Sequence, residues 1–162
     1  MKLTDIAYCP LCGSAVIHEP RYGRLRPVCP VCGYIHFTDP KVAAAILIEQ
    51  DGRVLLIQRA NTPGQGLWSV PGGFVDADED PARAAERECL EETGLSVRVT
   101  RLLDVVVDRE FPNSADFVVY YAGEVLSGQT HADDDALAVE WFPRQSLPPL
   151  AFKSVEYVLR NF

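Results

Sequence analysis

The sequence predicts an α/β domain preceded by a small zinc ribbon, on three observations. Two C-x-x-C pairs, Cys9-Pro-Leu-Cys12 and Cys29-Pro-Val-Cys32, stand sixteen residues apart near the N-terminus. Short runs rich in Val, Ile and Leu, bounded by Gly, Pro and Asp, recur from residue 41 onward and read as strands. One segment, Asp80 to Thr93, carries a full set of helix start and stop signals. The composition fits a globular chain: of 162 residues, 48% are hydrophobic and 23% charged. The longest apolar run, Val42 to Ile48, falls far short of the roughly 20 residues a membrane-spanning helix needs. The first ten residues hold no long apolar stretch of the secretory type, so a cytoplasmic protein and no membrane partner are expected.

Residues 1–36 read as the ribbon and residues 37–162 as the main domain. Each C-x-x-C pair is followed by glycine, Gly13 and Gly33. Such a knuckle turns two thiolates toward one centre, and two knuckles supply the four sulfurs that tetrahedral zinc takes. Two disulfides, or a redox dithiol, are the competing readings. The unpaired Cys89 and the lack of an export signal weigh against disulfides. Four thiolates complete the coordination shell, so the zinc is expected to be structural. About thirty residues cannot build a core alone, so the metal would hold the module together. Cys89 reads as a small buried hydrophobe.

Phe37 to Pro40 is the turn into the main domain. Lys41 to Gln50 and Arg53 to Arg59 read as strands joined by an Asp51-Gly52 hairpin turn. Asn61 to Gly66 is a loop, Leu67 to Val70 a short strand, and Pro71-Gly72-Gly73 a glycine turn. In the helix, Asp80 suits the N-cap, Pro81 the first helical position and Gly94 the C-terminal stop. Val97 to Asp108, Asp116 to Glu124 and Ala138 to Phe142 read as strands. The loop Glu110 to Ala115 carries Pro112, Asn113 and Ser114, and His131 to Asp135 is an acidic loop. Ser154 to Phe162 reads as a short terminal helix.

The formal net charge is −8, and it is unevenly spread. Residues 76–92 hold eight acids against Arg83 and Arg87, whereas residues 1–41 are slightly basic. Such packing costs self-repulsion unless something positive sits there. The acidic balance also argues against unspecific binding to nucleic acid. Glu88, Glu91 and Glu92 stand at i, i+3 and i+4, on one face of the helix. Ala82, Ala85 and Cys89 form an adjoining stripe that is expected to face the core. Like charges at this spacing repel by a few tenths of a kcal/mol per pair, and a hard divalent cation offsets that repulsion. A solvated Glu-rich helix is the plainer alternative.

Upstream residues decide between the two. Gly73, five residues, Glu79, seven residues, and then Arg87-Glu88-Cys89-Leu90-Glu91-Glu92-Thr93-Gly94-Leu95 match G-x5-E-x7-R-E-U-x-E-E-x-G-U at every fixed position. That pattern is the Nudix box, and the chain resembles Nudix hydrolases. Cys89 departs from the bulky aliphatic the pattern prefers. Gly66 to Gly73 resembles the strand and loop that precede the box, and the resemblance covers roughly residues 41 to 162.

The resemblance implies an α/β/α sandwich around a mixed sheet, with the box forming a loop–helix–loop. It implies hydrolysis of a nucleoside diphosphate linked to another group, with Mg²⁺ or Mn²⁺. Glu88, Glu91 and Glu92 would be metal ligands, with the Gly72 carbonyl as a further oxygen. Glu79 and Arg87 would lock helix and loop. One carboxylate, from the helix or from Asp133, Asp134 or Asp135, would take the proton of the attacking water. Related sequences often carry Glu at the Asp135 position, and Asp reaches less far.

The ribbon narrows the field. Four-Cys ribbons precede the Nudix domain in NADH pyrophosphatases and in a shorter group resembling FAD and ADP-ribose pyrophosphatases. The S-Q-P-W-P-F-P-x-S motif of the NADH enzymes does not follow Leu95. The segments Cys32 to Lys41 and Leu150 to Ser154 resemble the shorter group instead. ADP-ribose and FAD are therefore the expected substrates, and an NADH pyrophosphatase or a triphosphate housecleaning hydrolase are alternatives. Trp68, Tyr34, Phe37 or Phe111 could stack on a ring, although each reads more simply as a core or interface residue. Arg59 could meet phosphate, although a surface arginine is the simpler reading. From another class, a nucleotide-sensing regulator would read nucleic acid through Arg21, Arg24 and Arg26. The intact box weighs against it, and a small-molecule partner is expected. Related enzymes are often dimers, so a homodimer is open.

Overall fold

The structure is a computed structural model that describes residues 6–112 and 114–162. Residues 1–5, expected in the ribbon, and Asn113, expected in the 110–115 loop, lie outside the described residues. The chain divides into two compact units, Met1–Pro40 and Lys41–Phe162.

The first unit holds strands β1 (Ile17–Arg21) and β2 (Arg24–Val28) as one antiparallel hairpin. Its turn residues Tyr22 and Gly23 have φ of 49° and 74°, the left-handed pair a tight two-residue hairpin needs. The two C-x-x-C segments repeat one geometry. Gly13 N donates to Cys9 O at 2.9 Å, and Gly33 N donates to Cys29 O at 3.0 Å. Both glycines sit at positive φ, so the glycine after each pair is a conformational requirement. Among the described residues of this unit, little apolar surface is buried beyond Cys9, Pro27, Val28 and Cys29.

The second unit runs β3 (Val42–Gln50), β4 (Arg53–Arg59), β5 (Trp68–Ser69), β6 (Gly72–Phe74), α1 (Pro81–Thr93), β7 (Leu95–Val107), β8 (Phe117–Gly128), β9 (Ala136–Pro143) and α2 (Lys153–Asn161). All but one of the pairings are antiparallel; β3 with β8 is parallel, which makes the sheet mixed. Period-two alternation along β3 feeds two cores. Ala44, Ile46 and Ile48 pack with Ala84, Ala85 and Cys89 of α1. Ala45 and Leu47 pack with Val155, Val158 and Leu159 of α2. One helix on each face gives the α/β/α sandwich. Cys89 is fully buried, as its reading as a small hydrophobe requires. On α1 the inward stripe holds Ala84 in place of the expected Ala82, which is half-buried.

The β3–β4 hairpin turns at Asp51 and Gly52, with φ of 52° and 71°. The two strands then part company: they pair only at Glu49–Gln50 with Arg53–Val54. Into the split comes β6, whose Gly72–Phe74 pairs with Ala43–Ala45 of β3. The expected glycine turn at residues 71–73 is therefore a strand. Its glycines serve close approach rather than turning. A Cβ on Gly72 would strike the Ala44 carbonyl oxygen, and would lie 2.6 Å from Ala45 Cα.

Candidate active site

Helix α1 is set by its own sequence. The Asp80 carboxylate accepts from Ala82 N at 2.8 Å, Pro81 starts the helix, and Gly94 ends it at φ 70°. Thr93 adds a lock that the sequence did not suggest: its buried hydroxyl accepts from Leu95 N at 3.2 Å. Helix and entering strand meet through Glu92 and Glu88. Glu92 is only 2% exposed, and its Oε2 accepts from Gly72 N at 2.9 Å. A Cβ on Gly73 would fall onto the Glu88 carboxylate. Glycine is thus required at both positions for the carboxylates to lie against β6.

The charge crowding of this segment is largely answered within the protein. Arg87 grips Glu79 with two parallel bonds of 2.8 Å, from Nε and from Nη2. The same guanidinium reaches the Phe74 carbonyl at 3.2 Å, so it ties the helix to the loop before it. Its third nitrogen, Nη1, meets Glu88 at 2.8 Å and Glu91 at 2.9 Å. Glu86 turns away, accepting from Val99 N at 2.9 Å. The three box carboxylates are consequently divided. Glu88 and Glu91 converge on one positive nitrogen, and Glu92 is turned inward to Gly72. Burial pushes the Glu92 carboxyl up to about 8, against the pull of the Gly72 N–H. Burial also raises Glu88, with Arg87 opposing.

The acidic loop is pinned to the end of the same helix. His131 N donates to Thr93 O at 3.0 Å, and Asp133 N donates to Glu92 O at 3.3 Å. These are last-turn carbonyls that the helix itself leaves unpaired. Asp135 is held by Asn61, whose Nδ2 donates to Oδ1 at 2.6 Å. A cavity of about 250 Å³ adjoins these groups, and Asp135, Gly72, Gly73, Arg59 and Asn61 are among its lining residues. Arg59 is half-buried rather than a surface residue. Its Nε donates to Pro63 O at 2.9 Å, and its guanidinium lies 5.0 Å from the Phe152 ring centroid. Asp108, Ser114 and Phe152 also line the cavity. Of these, only the Phe152 segment stood out in the sequence. Trp68 meets Phe142 edge-on at 4.7 Å as part of the packing under α2.

In the ribbon, the four Sγ atoms of Cys9, Cys12, Cys29 and Cys32 lie within 4.8 Å of one another. Cys9–Cys32 and Cys12–Cys29 stand at 3.6 and 3.5 Å. These separations are far beyond a disulfide bond of about 2.05 Å. They fit the roughly 3.8 Å edge of a tetrahedron with Zn–S bonds of about 2.3 Å. Bonds from the Ser14 side chain and backbone hold the Cys12 thiol down, while the neighbouring thiols push Cys32 up, as expected of sulfurs crowded this closely. Among the described residues, no comparably tight set forms from the helix carboxylates. Arg21 is paired with Glu19 at 2.6 Å and Arg26 lies 4.4 Å over the Phe37 ring, so two of the three ribbon arginines are already engaged.

The fold and the box geometry are those of a Nudix hydrolase domain. Residues 38–162 match the NUDIX domain family, and the chain belongs to that family. It is 40% identical over 131 residues to an ADP-ribose pyrophosphatase of Methanocaldococcus jannaschii, covering 80% of this chain and 75% of that protein. It is 38% identical over 109 residues to the human 8-oxo-dGDP phosphatase NUDT18, covering 66% of this chain and 33% of that longer protein. Among solved structures, a NUDIX hydrolase from Nitrosomonas europaea superimposes with a TM-score of 0.84 at 30% identity, covering 96% of this chain and 89% of that one. The chain is thus an enzyme of the Nudix hydrolase class, acting on small nucleotide substrates.

Proposed function

We propose that this enzyme hydrolyses the pyrophosphate of ADP-ribose, with FAD as the second substrate to test. The products would be AMP with ribose 5-phosphate, or AMP with FMN. The observation that carries the reading is the carboxylate face of α1 laid against β6 beside a cavity large enough for a flat ring or a sugar. The identity to an ADP-ribose pyrophosphatase over most of both chains supports the choice of substrate.

Glu88, Glu91, Glu92 and the Gly72 carbonyl would hold Mg²⁺ or Mn²⁺. The donor set is all oxygen, which suits a hard cation, and Glu88 and Glu91 already converge on one positive centre. A bound cation would neutralise the pyrophosphate and lower the pKa of water. Arg87 and Glu79 position the helix and loop. Arg59 lends positive charge to the cavity wall. Asp135, steadied by Asn61, would accept the water's proton. The four cysteines would hold structural zinc. Among the described residues no helix is long and apolar enough to cross a membrane, and all five cysteines are unbridged, which suits a reducing cytoplasm. A homodimer belongs to the same reading, and sizing in solution tests it.

The test is a chromatographic panel with Mg²⁺ and then Mn²⁺: ADP-ribose, FAD, NADH, diadenosine polyphosphates, ATP and 8-oxo-dGTP. AMP released from ADP-ribose or FAD well above the others is the expected result. Turnover of triphosphates alone would keep the metal site and discard this substrate class.

A further inference from the structure

Asp108 directly follows β7 and is 8% exposed, yet it lines the cavity. The sheet order places β6, β3, β8 and β7 side by side, and Phe74, Ala43, Val118 and Val106 stand nearly level across them. The cavity therefore extends from the box glycines to Asp108, about three strand spacings or ~14 Å. That is room for a phosphate at one end and the group attached to it at the other.

The hydrogen bonds around Asp108 all run one way. Tyr120 OH donates to Ser154 Oγ at 2.9 Å, and Ser154 Oγ donates to Asp108 Oδ2 at 2.6 Å. Glu110 N donates to Oδ1 at 3.3 Å. Ser114, beside it, directs its own hydroxyl to Phe111 O at 2.8 Å. Every hydroxyl hydrogen of this group is committed inside the protein. A carboxylate accepts about four bonds and, among the described residues, two are used, so acceptor capacity is what remains. Among the described residues Asp108 forms no ion pair. The neighbouring walls, Ala43, Ala45, Ala115 and Val118, are small and apolar. An acceptor in such a setting discriminates strongly for a ligand that brings a donor.

We propose that Asp108 is a specificity-determining residue, which reads the group beyond the pyrophosphate by accepting a hydrogen bond from a ring amine or a sugar hydroxyl. Ser154 and Tyr120 are its positioning residues. The inference rests on the substrate reading above, and its test separates the two.

Steady-state hydrolysis by the full chain is compared for ADP-ribose, its hypoxanthine analogue, which replaces the amine by a carbonyl, and its deoxyribose analogues, which lack one hydroxyl. Wild type is expected to disfavour one of the analogues by about tenfold or more in kcat/KM. The analogue disfavoured names the donor as amine or hydroxyl. Asp108→Asn, which keeps the shape, is expected to raise KM for ADP-ribose about tenfold with kcat nearly unchanged, and to erase the ranking. Ser154→Ala is expected to do the same more weakly. Equal use of all analogues by wild type overturns the proposal, as does a folded Asp108→Asn that loses melting temperature alone. If wild type ignores ADP-ribose and cleaves ATP, the substrate reading fails; the same comparison with ATP, ITP and dATP then tests Asp108 with the same two outcomes. The analogue ranking of wild type needs no variant, so a misfolded Asp108→Asn leaves the proposal open to refutation.

Discussion

The two units of this chain solve the same problem by different means. Lys41–Phe162 buries a two-sided core around β3, with Ile46 and Ile48 facing one helix and Leu47 the other. Among its described residues, Met1–Pro40 has no such core. It leaves Tyr8, Leu11, Tyr22 and Val31 exposed and gathers four thiols instead. Carboxylates and thiols also behave differently before any metal is considered. The four sulfurs are preset within 4.8 Å of one another, whereas the box carboxylates are divided between Arg87 and Gly72. A structural site is built closed, and a site that must admit substrate is left to be completed. With zinc on the four thiols, as proposed, the ribbon's stability would be tied to metal, and the larger unit's to packing.

Metal removal sets the two units furthest apart. Stripping zinc with a strong chelator should unfold the ribbon, since apparent zinc binding in such modules is on the order of 10 kcal/mol. The larger unit should keep its own melting transition. Calorimetry with and without chelator, with metal analysis of the untreated chain, reads both; a single joint transition lost on chelation would break the contrast.

Next in size are the box carboxylates. Glu88→Gln and Glu92→Gln should each lower turnover roughly 10²–10³-fold, because a Lewis-acid metal supplies several kcal/mol of barrier reduction. Stability should change little for Glu88→Gln, which retains an acceptor for Arg87. Steady-state rates at saturating Mg²⁺, with melting curves alongside, check both halves. Arg87→Lys should cost about 10–100-fold in activity, because an ammonium cannot make the parallel pair with Glu79. Rescue by higher Mg²⁺ would show that Arg87 acts through the metal site. Smallest is Cys89→Ala in the α1 core. It should cost about 1 kcal/mol of stability in denaturant titration and leave turnover unchanged, since the buried thiol fills space and meets only the Thr93 hydroxyl, at 3.6 Å.

Much of this was legible in the sequence because the signals were local. Asp80, Pro81 and Gly94 bracket α1 as their individual chemistry requires, and Asp51-Gly52 gives the expected hairpin. The knuckle glycines were equally plain. What escaped was long-range. Pro71-Gly72-Gly73 has turn composition, but its glycines admit β6 into the gap between β3 and β4. Arg59 read as surface because nothing in its own segment places Phe152, ninety-odd residues away, beneath it. Asp108 ends an ordinary apolar strand, and its partners Tyr120 and Ser154 come from other elements. The roles proposed for the carboxylates come from the box pattern, while their division between Arg87 and Gly72 comes from packing.

The most direct measurement is AMP release from ADP-ribose by wild type and Glu92→Gln side by side, each with Mg²⁺ and with the metal chelated. The expected result is strictly metal-dependent AMP release by wild type and a loss of about 100-fold or more in Glu92→Gln at unchanged fold. Full Mg²⁺-dependent turnover by Glu92→Gln would contradict the account of the site.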